Sequence, residues 1–413
     1  MSMPAAVDAG PAEAAAGPRP GPRPLPLHLA NAVTLWTGAA AALPAFQAGV
    51  LPWHPSLGEK ARTLHRSIGE TGWQAVGREV VAQSQQRLAA ALDGIEAYRR
   101  HPYRRVADVP PTRFTLGSMR LLDYGGTGRP TLVIPSLVNP SYILDLLPER
   151  SLMRYLKQRG LRPLLVDWGT PGDEERGYCL DDYIVRRLEP ALDHVAQLAG
   201  GPAPVIGYCM GGTMALGLAA RGADRIAQLA LLATPWDFHA PGSPMAPVVA
   251  RALDVLMPSI DRLGAAPVDV LQLFFTSLDP TLAERKFRRF ARVDASSDQA
   301  RLFVALEDWA NDGPPLAAAV ARECLVDWYR CNLPGRGLWR VAGTPVRPER
   351  LDLPLLVAVP GRDRIVPPDS ALAVATACPA AACVRPPSGH VGMVVGNRAA
   401  SGLWQPLADW LCG

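Results

Sequence analysis

Lysine is almost missing from this chain. It stands only at positions 60, 157 and 286, so nearly all of the 42 basic side chains are arginine, a bias that reads as genome composition and carries no mechanism. An excess of one charge is missing too: 42 basic against 38 acidic residues leave +4, which excludes the footprint of a nucleic-acid-binding protein. Cysteine is sparse and unpatterned. The residues at 179, 209, 324, 331, 378, 383 and 412 form no Cys-x-x-Cys pair and no spacing that suits zinc. No metal site is therefore expected, and a reducing cytoplasm fits better than a disulfide framework. Charge is missing altogether from Leu29 to Trp53, a length that could span a bilayer. Pro44 and the polar Asn31, Thr34, Thr37 and Gln47 argue against a span, and the long segment before it, without a clear cleavage site, against a signal peptide. The expectation is a helix packed on the protein, with surface docking as the alternative.

Along the chain, Met1 to Pro26 is dominated by Ala, Pro and Gly, which predicts a disordered tail over 1–28. Residues 29–105 predict a helical N-terminal region. From Phe114 onward apolar strands alternate with helices. Strands are expected at Met119 to Tyr124, Thr131 to Pro135, Pro163 to Asp167, Pro204 to Tyr208, Ala227 to Thr234, Leu353 to Pro360 and Ala382 to Pro386. Helices are expected at Ser151 to Arg159, Asp181 to Leu198, Gly212 to Ala220, Ser370 to Ala377 and Leu403 to Leu411. Apolar runs without period-2 alternation, separated by helices, predict an α/β fold with a mostly parallel sheet covered on both faces. The core is expected in 106–236 and 351–413, and the mostly helical 237–350 as a cap over the carboxyl ends of the strands, where ligands bind in such sheets.

Chemistry gathers at Val205-Ile206-Gly207-Tyr208-Cys209-Met210-Gly211-Gly212. A short apolar run ends in Gly-x-Cys-x-Gly-Gly and passes at once into a helical pattern, the strand–turn–helix of a nucleophile elbow with Cys in place of Ser. At a helix N-terminus the dipole favours a thiolate, and the Met210 N–H is left available to an oxyanion. A thiolate nucleophile needs a base, and the base an orienting group. His390 lies in a Gly-containing loop beyond the last expected strand and Asp363 in the loop beyond the preceding one, so the order nucleophile, acid, histidine is that of the α/β-hydrolase fold. Asp352 precedes its strand and Asp369 caps the next helix, so neither competes well. The backbone N–H of Val138, in the loop Pro135 to Pro140, is the expected second oxyanion donor. His239 opens the cap and is a weaker candidate for substrate contact. Arg285, Lys286, Arg288, Arg289 and Arg292 form a basic cluster better read as a solvated face than as a phosphate site.

From Val133 to the C-terminus the sequence resembles the polyhydroxyalkanoate synthases. The resemblance rests on Val138-Asn139-Pro140-Ser141-Tyr142-Ile143-Leu144-Asp145-Leu146, Leu165-Val166-Asp167-Trp168-Gly169, Leu180-Asp181-Asp182-Tyr183-Ile184, Gly207 to Gly212, Thr234-Pro235-Trp236-Asp237-Phe238, Glu307-Asp308-Trp309-Ala310-Asn311-Asp312, Trp328-Tyr329 and Ser388-Gly389-His390. It implies polymerisation of (R)-3-hydroxyacyl-CoA with release of CoA, with Cys209 as acyl carrier, His390 as base and Asp363 as its partner. No cofactor is implied, the CoA thioester being substrate. A growing polyester, the surface of a polyester granule, a homodimer and a second subunit are the implied partners, and the location is cytoplasmic or on granules. Family members commonly carry His after the catalytic Asp; here Arg364 follows Asp363 and is expected to point away. A thioesterase or esterase of the same fold and a non-catalytic granule-associated paralogue are the alternatives.

Overall fold

The computed structural model describes residues 17–106, 108–241, 243 and 245–413. An eight-stranded sheet is built from β1 (Thr112–Leu116), β2 (Met119–Asp123), β3 (Arg129–Ile134), β4 (Leu161–Asp167), β5 (Ala203–Tyr208), β6 (Ile226–Leu232), β7 (Leu355–Ala358) and β8 (Ala382–Val384). Their order across the sheet is β1-β2-β4-β3-β5-β6-β7-β8. Only the β1–β2 and β2–β4 pairings are antiparallel; from β4 to β8 every pairing is parallel. The central strands are buried on both faces, which is why Leu132-Val133-Ile134, Val205-Ile206 and Leu229 to Leu232 read as unbroken apolar runs. All the expected strands are present within a few residues of their expected ends. β1 has no counterpart among them: it is an edge strand with Thr112, Arg113 and Thr115 exposed, too polar to stand out.

The helix expected over Asp181 to Leu198 is a composite. It runs as α-helix over Leu180–Tyr183, π-helix over Ile184–Leu188 and α-helix over Glu189–Ala199. Pro190 has no N–H for the preceding turn, and the widened π turn absorbs that loss. The π turn Ala400–Trp404 stands in the same relation to Pro406 at the start of Gln405–Cys412.

The chain divides into two compact units: one takes the described residues up to Tyr103 with Thr281–Val304, the other Arg104–Pro280 with Ala305–Gly413. The first differs from expectation in two respects. Of the tail expected to be disordered over 1–28, residues 1–16 lie outside the described residues, and 17–28 are ordered. There Arg19 is buried, with its Nη1 donating to His101 O at 2.7 Å, and helix Leu25–Ala41 begins after Pro24. Second, Thr281–Val304, assigned from sequence to the cap, shares a core with the N-terminal helices. Helix Leu282–Phe290 turns Phe287 and Phe290 inward, and these pack with Ile95 and Tyr98 of helix Trp73–Arg100, the Phe290 and Phe303 rings stacking at 4.2 Å. The basic cluster from Arg285 to Arg292 belongs to this unit, with Arg288 paired to Glu284 at 2.7 Å. Helix Leu25–Ala41 buries only His28 and Ala32 and leaves Val33 and Leu35 exposed. By length and composition alone, Leu25–Gln47 is long and apolar enough to cross a membrane.

Candidate active site

β5 delivers Cys209, and helix Met210–Gly222 starts directly after it. At Cys209 the backbone takes φ 56° and ψ −127°, a region that L-residues avoid at a cost of about 1–3 kcal/mol and that marks functional sites when the surroundings enforce it. The surroundings do so through the two glycines. A Cβ on Gly211 would lie 2.2 Å from Ile134 O, and one on Gly212 1.8 Å from Thr234 Oγ1, so only glycine lets the helix start press against the ends of β3 and β6. Cys209 N donates to Leu232 O at 2.8 Å and locks the turn to β6.

His390 and Asp363 are both buried on loops after β8 and β7. His390 Nδ1 lies 2.7 Å from Asp363 Oδ2, while Asp363 Oδ1 accepts from Ile365 N at 2.8 Å and Val366 N at 2.9 Å. A carboxylate only accepts, so Nδ1 carries a proton and Nε2 is the nitrogen left without a partner among these contacts. Cys209 lies near enough for its charge to act on this imidazole. Burial acts to lower the His390 pKa, but the charges of Cys209 and Asp363 and their hydrogen bonds outweigh it and hold it well above the ordinary imidazole value. All seven cysteines are free, and among the described residues no group of three His, Cys, Asp or Glu side chains is placed to hold a metal ion.

The structure brings Cys209, Asp363 and His390 together and separates the rival acids. Asp352 is exposed, and Asp369 sits in the first turn of helix Pro368–Ala377. Met210 N opens its helix with no intrahelical partner, whereas Val138 N already donates to Ser136 Oγ at 3.1 Å. His239 Nε2 donates to Tyr329 O at 2.8 Å, and both residues line an open cavity of about 480 Å³. Arg364 is exposed and paired with Asp279 at 3.0 Å. Three neighbours were given no role from sequence. The Tyr208 ring stands 5.3 Å from the His390 ring, and its hydroxyl donates to His390 O at 3.4 Å. Tyr329 and Cys324 come from the π-helical turn Glu323–Arg330; burial raises the pKa of both, the Cys209 charge adds to it at Tyr329, and at Cys324 it adds after those of Glu323 and Asp327.

A cysteine on a strand–turn–helix corner, beside a histidine and an acid on the next two strand-end loops, defines a protein of the α/β-hydrolase class. The family model for the alpha/beta hydrolase fold matches residues 132–396. The bromoperoxidase from Bacillus anthracis is 16% identical, with a TM-score of 0.46, over 71% of this chain and 95% of its own. Poly(3-hydroxyalkanoate) polymerase subunit PhaC of Synechocystis sp. is 31% identical over 294 residues, 68% of this chain and 77% of that protein. The protein of the same name from Haloferax mediterranei is 30% identical over 290 residues, which span 68% of this chain and 58% of its relative. The chain belongs to the poly(3-hydroxyalkanoate) polymerase family, acyltransferase-type enzymes on the α/β-hydrolase fold.

Proposed function

We propose that the protein joins (R)-3-hydroxyacyl-CoA units into a polyester with release of CoA, using Cys209 as nucleophile, His390 as base and Asp363 as its orienting acid. The observation that carries this reading is the strained Cys209 beside a His390 whose Nδ1 is committed to Asp363 at 2.7 Å. His390 Nε2 takes the thiol proton, and the Cys209 sulfur attacks the thioester carbonyl. The C–S bond to CoA breaks, and CoA leaves with the proton from His390. The hydroxyl of a second hydroxyacyl unit then gives its proton to His390 and attacks the acyl-cysteine, forming an ester and freeing the sulfur. The Met210 N–H, and the Val138 N–H once released from Ser136, face the developing oxyanion.

Cysteine suits this sequence. The acyl-cysteine is a thioester like acyl-CoA, so loading is nearly neutral in energy and transfer to a hydroxyl runs downhill, whereas an acyl-serine would already be an ester. The reading puts the protein in the cytoplasm and at polyester granules, as a homodimer, and the subunit names of its relatives point to a second subunit. Cys209→Ala should lower CoA release from 3-hydroxybutyryl-CoA at least about 10³-fold. Cys209→Ser should keep the fold and lose most polymer. Normal turnover in Cys209→Ala sinks the reading.

A further inference from the structure

Within the larger unit lies a cavity of about 490 Å³, lined by residues that include Arg105, Arg120, Asn139, Tyr142, Asp167 and Asp312. None of Cys209, Asp363 and His390 lines it. Most of its polar groups are committed: Arg120 is held by Asp167 at 2.5 Å, and Asp312 accepts from the Tyr142 hydroxyl at 3.2 Å. Two are not. Arg105 lies over the Tyr142 ring at 4.3 Å and makes no ion pair among the described residues. Asn139 Oδ1 is buried and accepts no hydrogen bond among them. An uncommitted buried acceptor is costly, and proteins rarely leave one without a use.

These two groups define a ligand. One guanidinium without a carboxylate matches one negative charge, and its planar fork matches a carboxylate best. A dianionic phosphate is opposed by Asp167 and Asp312 on the same walls. The acceptor on Asn139 requires a donor on the ligand. We propose that this cavity is a second binding site, for a small hydroxy monocarboxylate of the 3-hydroxyalkanoate class, with its carboxylate on Arg105 and its hydroxyl donating to Asn139 Oδ1. The site stands on the cavity's own groups; the choice of a 3-hydroxyalkanoate among hydroxy acids rests on the polymerase reading. Asn139 follows Val138 directly, and a Cβ on Gly313 would come within 3.1 Å of Val138 O, so the bound acid would brace the loop expected to supply an oxyanion donor.

Titration calorimetry on the full chain tests this with (R)-3-hydroxybutyrate, butyrate and adenosine 3′,5′-bisphosphate. Hydroxybutyrate should bind one to one, and butyrate at least about threefold more weakly, the scale of one hydrogen bond. Arg105→Gln should weaken hydroxybutyrate at least about tenfold. CoA release from 3-hydroxybutyryl-CoA should stay near the wild-type rate, since Arg105 is half-buried and holds no partner that folding requires. Asn139→Leu should erase the preference over butyrate. Equal affinity for the two acids, undiminished binding in Arg105→Gln, or tighter binding of the bisphosphate overturns the proposal. Arg105-dependent binding without CoA release leaves the site standing and removes the polymerase reading; CoA release without binding removes the site alone.

Discussion

Asp363→Asn separates orientation from mere presence of the acid. Asp363 makes three hydrogen bonds, two accepted from Ile365 N and Val366 N through Oδ1 and one to His390 through Oδ2. An amide keeps two of them only by leaving its oxygen on the backbone N–H pair, which turns its NH₂ toward His390 Nδ1. Two donors cannot share that contact, so the imidazole must flip its tautomer and carry its proton on Nε2, where it cannot accept one from Cys209. Triads with the wrong tautomer lose about 10²- to 10⁴-fold in turnover, equivalent to roughly 3–5 kcal/mol of barrier. Folding should change little, because the buried N–H groups of Ile365 and Val366 keep their acceptor. Asp363→Ala strands both and should cost roughly 1–3 kcal/mol of stability for each. The assay is CoA thiol release from 3-hydroxybutyryl-CoA beside urea unfolding of each variant. Turnover of Asp363→Asn within threefold of the natural protein would refute the tautomer argument and leave Asp363 a structural acceptor.

The Glu323 carboxyl is held up to about 7, chiefly by burial and further by Asp181, Asp327 and Asp182, against the opposing hydrogen bond from Leu180 N. The unfolded chain loses that proton near 4.5, so the group's stabilisation is full below that pH and is lost as pH rises through about 7. Glu323→Gln, which keeps an acceptor for Leu180 N, should therefore gain about 1–3 kcal/mol over the natural protein at pH 8 and little at pH 4.5; a gain independent of pH contradicts the linkage. Gly212→Ala drives a methyl into Thr234 and should cost at least about 2 kcal/mol, with Thr234→Ala in the same chain recovering part of the loss in urea midpoints. Arg364→His removes an exposed ion pair with Asp279 and should change stability by less than about 1 kcal/mol and CoA release modestly. A rise in polymer synthesis by orders of magnitude would mark the natural chain as a repurposed synthase.

The nucleophile corner is legible in sequence because its physics is local. Apolar residues without alternation announce a strand buried on both faces, and a Gly-x-Cys-x-Gly-Gly run can only be a turn in which side chains have no room. Asp363 and His390 follow from chain order once the sheet is in place. What stayed hidden is carried by distant packing. Tyr329 and Cys324 come within reach of the Cys209 charge from a turn more than a hundred residues later in the chain, and no local pattern fixes that proximity. Helix Leu282–Phe290 carries an apolar stripe that any neighbour could cover, so its place beside Ile95 and Tyr98 could not be read from the stripe itself. The Val138 N–H is engaged with Ser136 because a Ser two residues earlier offers a closer acceptor than any yet bound.

In the proposed mechanism, acceptor choice depends on how dry the acyl-cysteine is kept. Water is small, abundant and a competent acceptor, so ester formation prevails only where the approach to the acyl group is apolar and closed. Trp236 meets Trp339 at 6.2 Å between ring centroids, Trp339 meets Trp328 at 5.5 Å, Trp328 meets Phe238 at 5.5 Å, and Phe238 meets Tyr329 at 4.9 Å. This chain of rings begins where β6 leaves the sheet and ends on a side chain that feels the charge of Cys209. Asn332 pins the same stretch, accepting from Phe238 N at 2.9 Å and donating to Asp237 Oδ1 at 2.8 Å. Rings packed against one another in this way have little freedom to open for water, and each contact adds about 0.5–1.5 kcal/mol to holding the wall closed. In the proposed reaction a wall of this kind favours transfer to the hydroxyl of a hydroxyacyl unit over hydrolysis, and the hydrogen bond from His239 Nε2 to the Tyr329 carbonyl holds its last member in place.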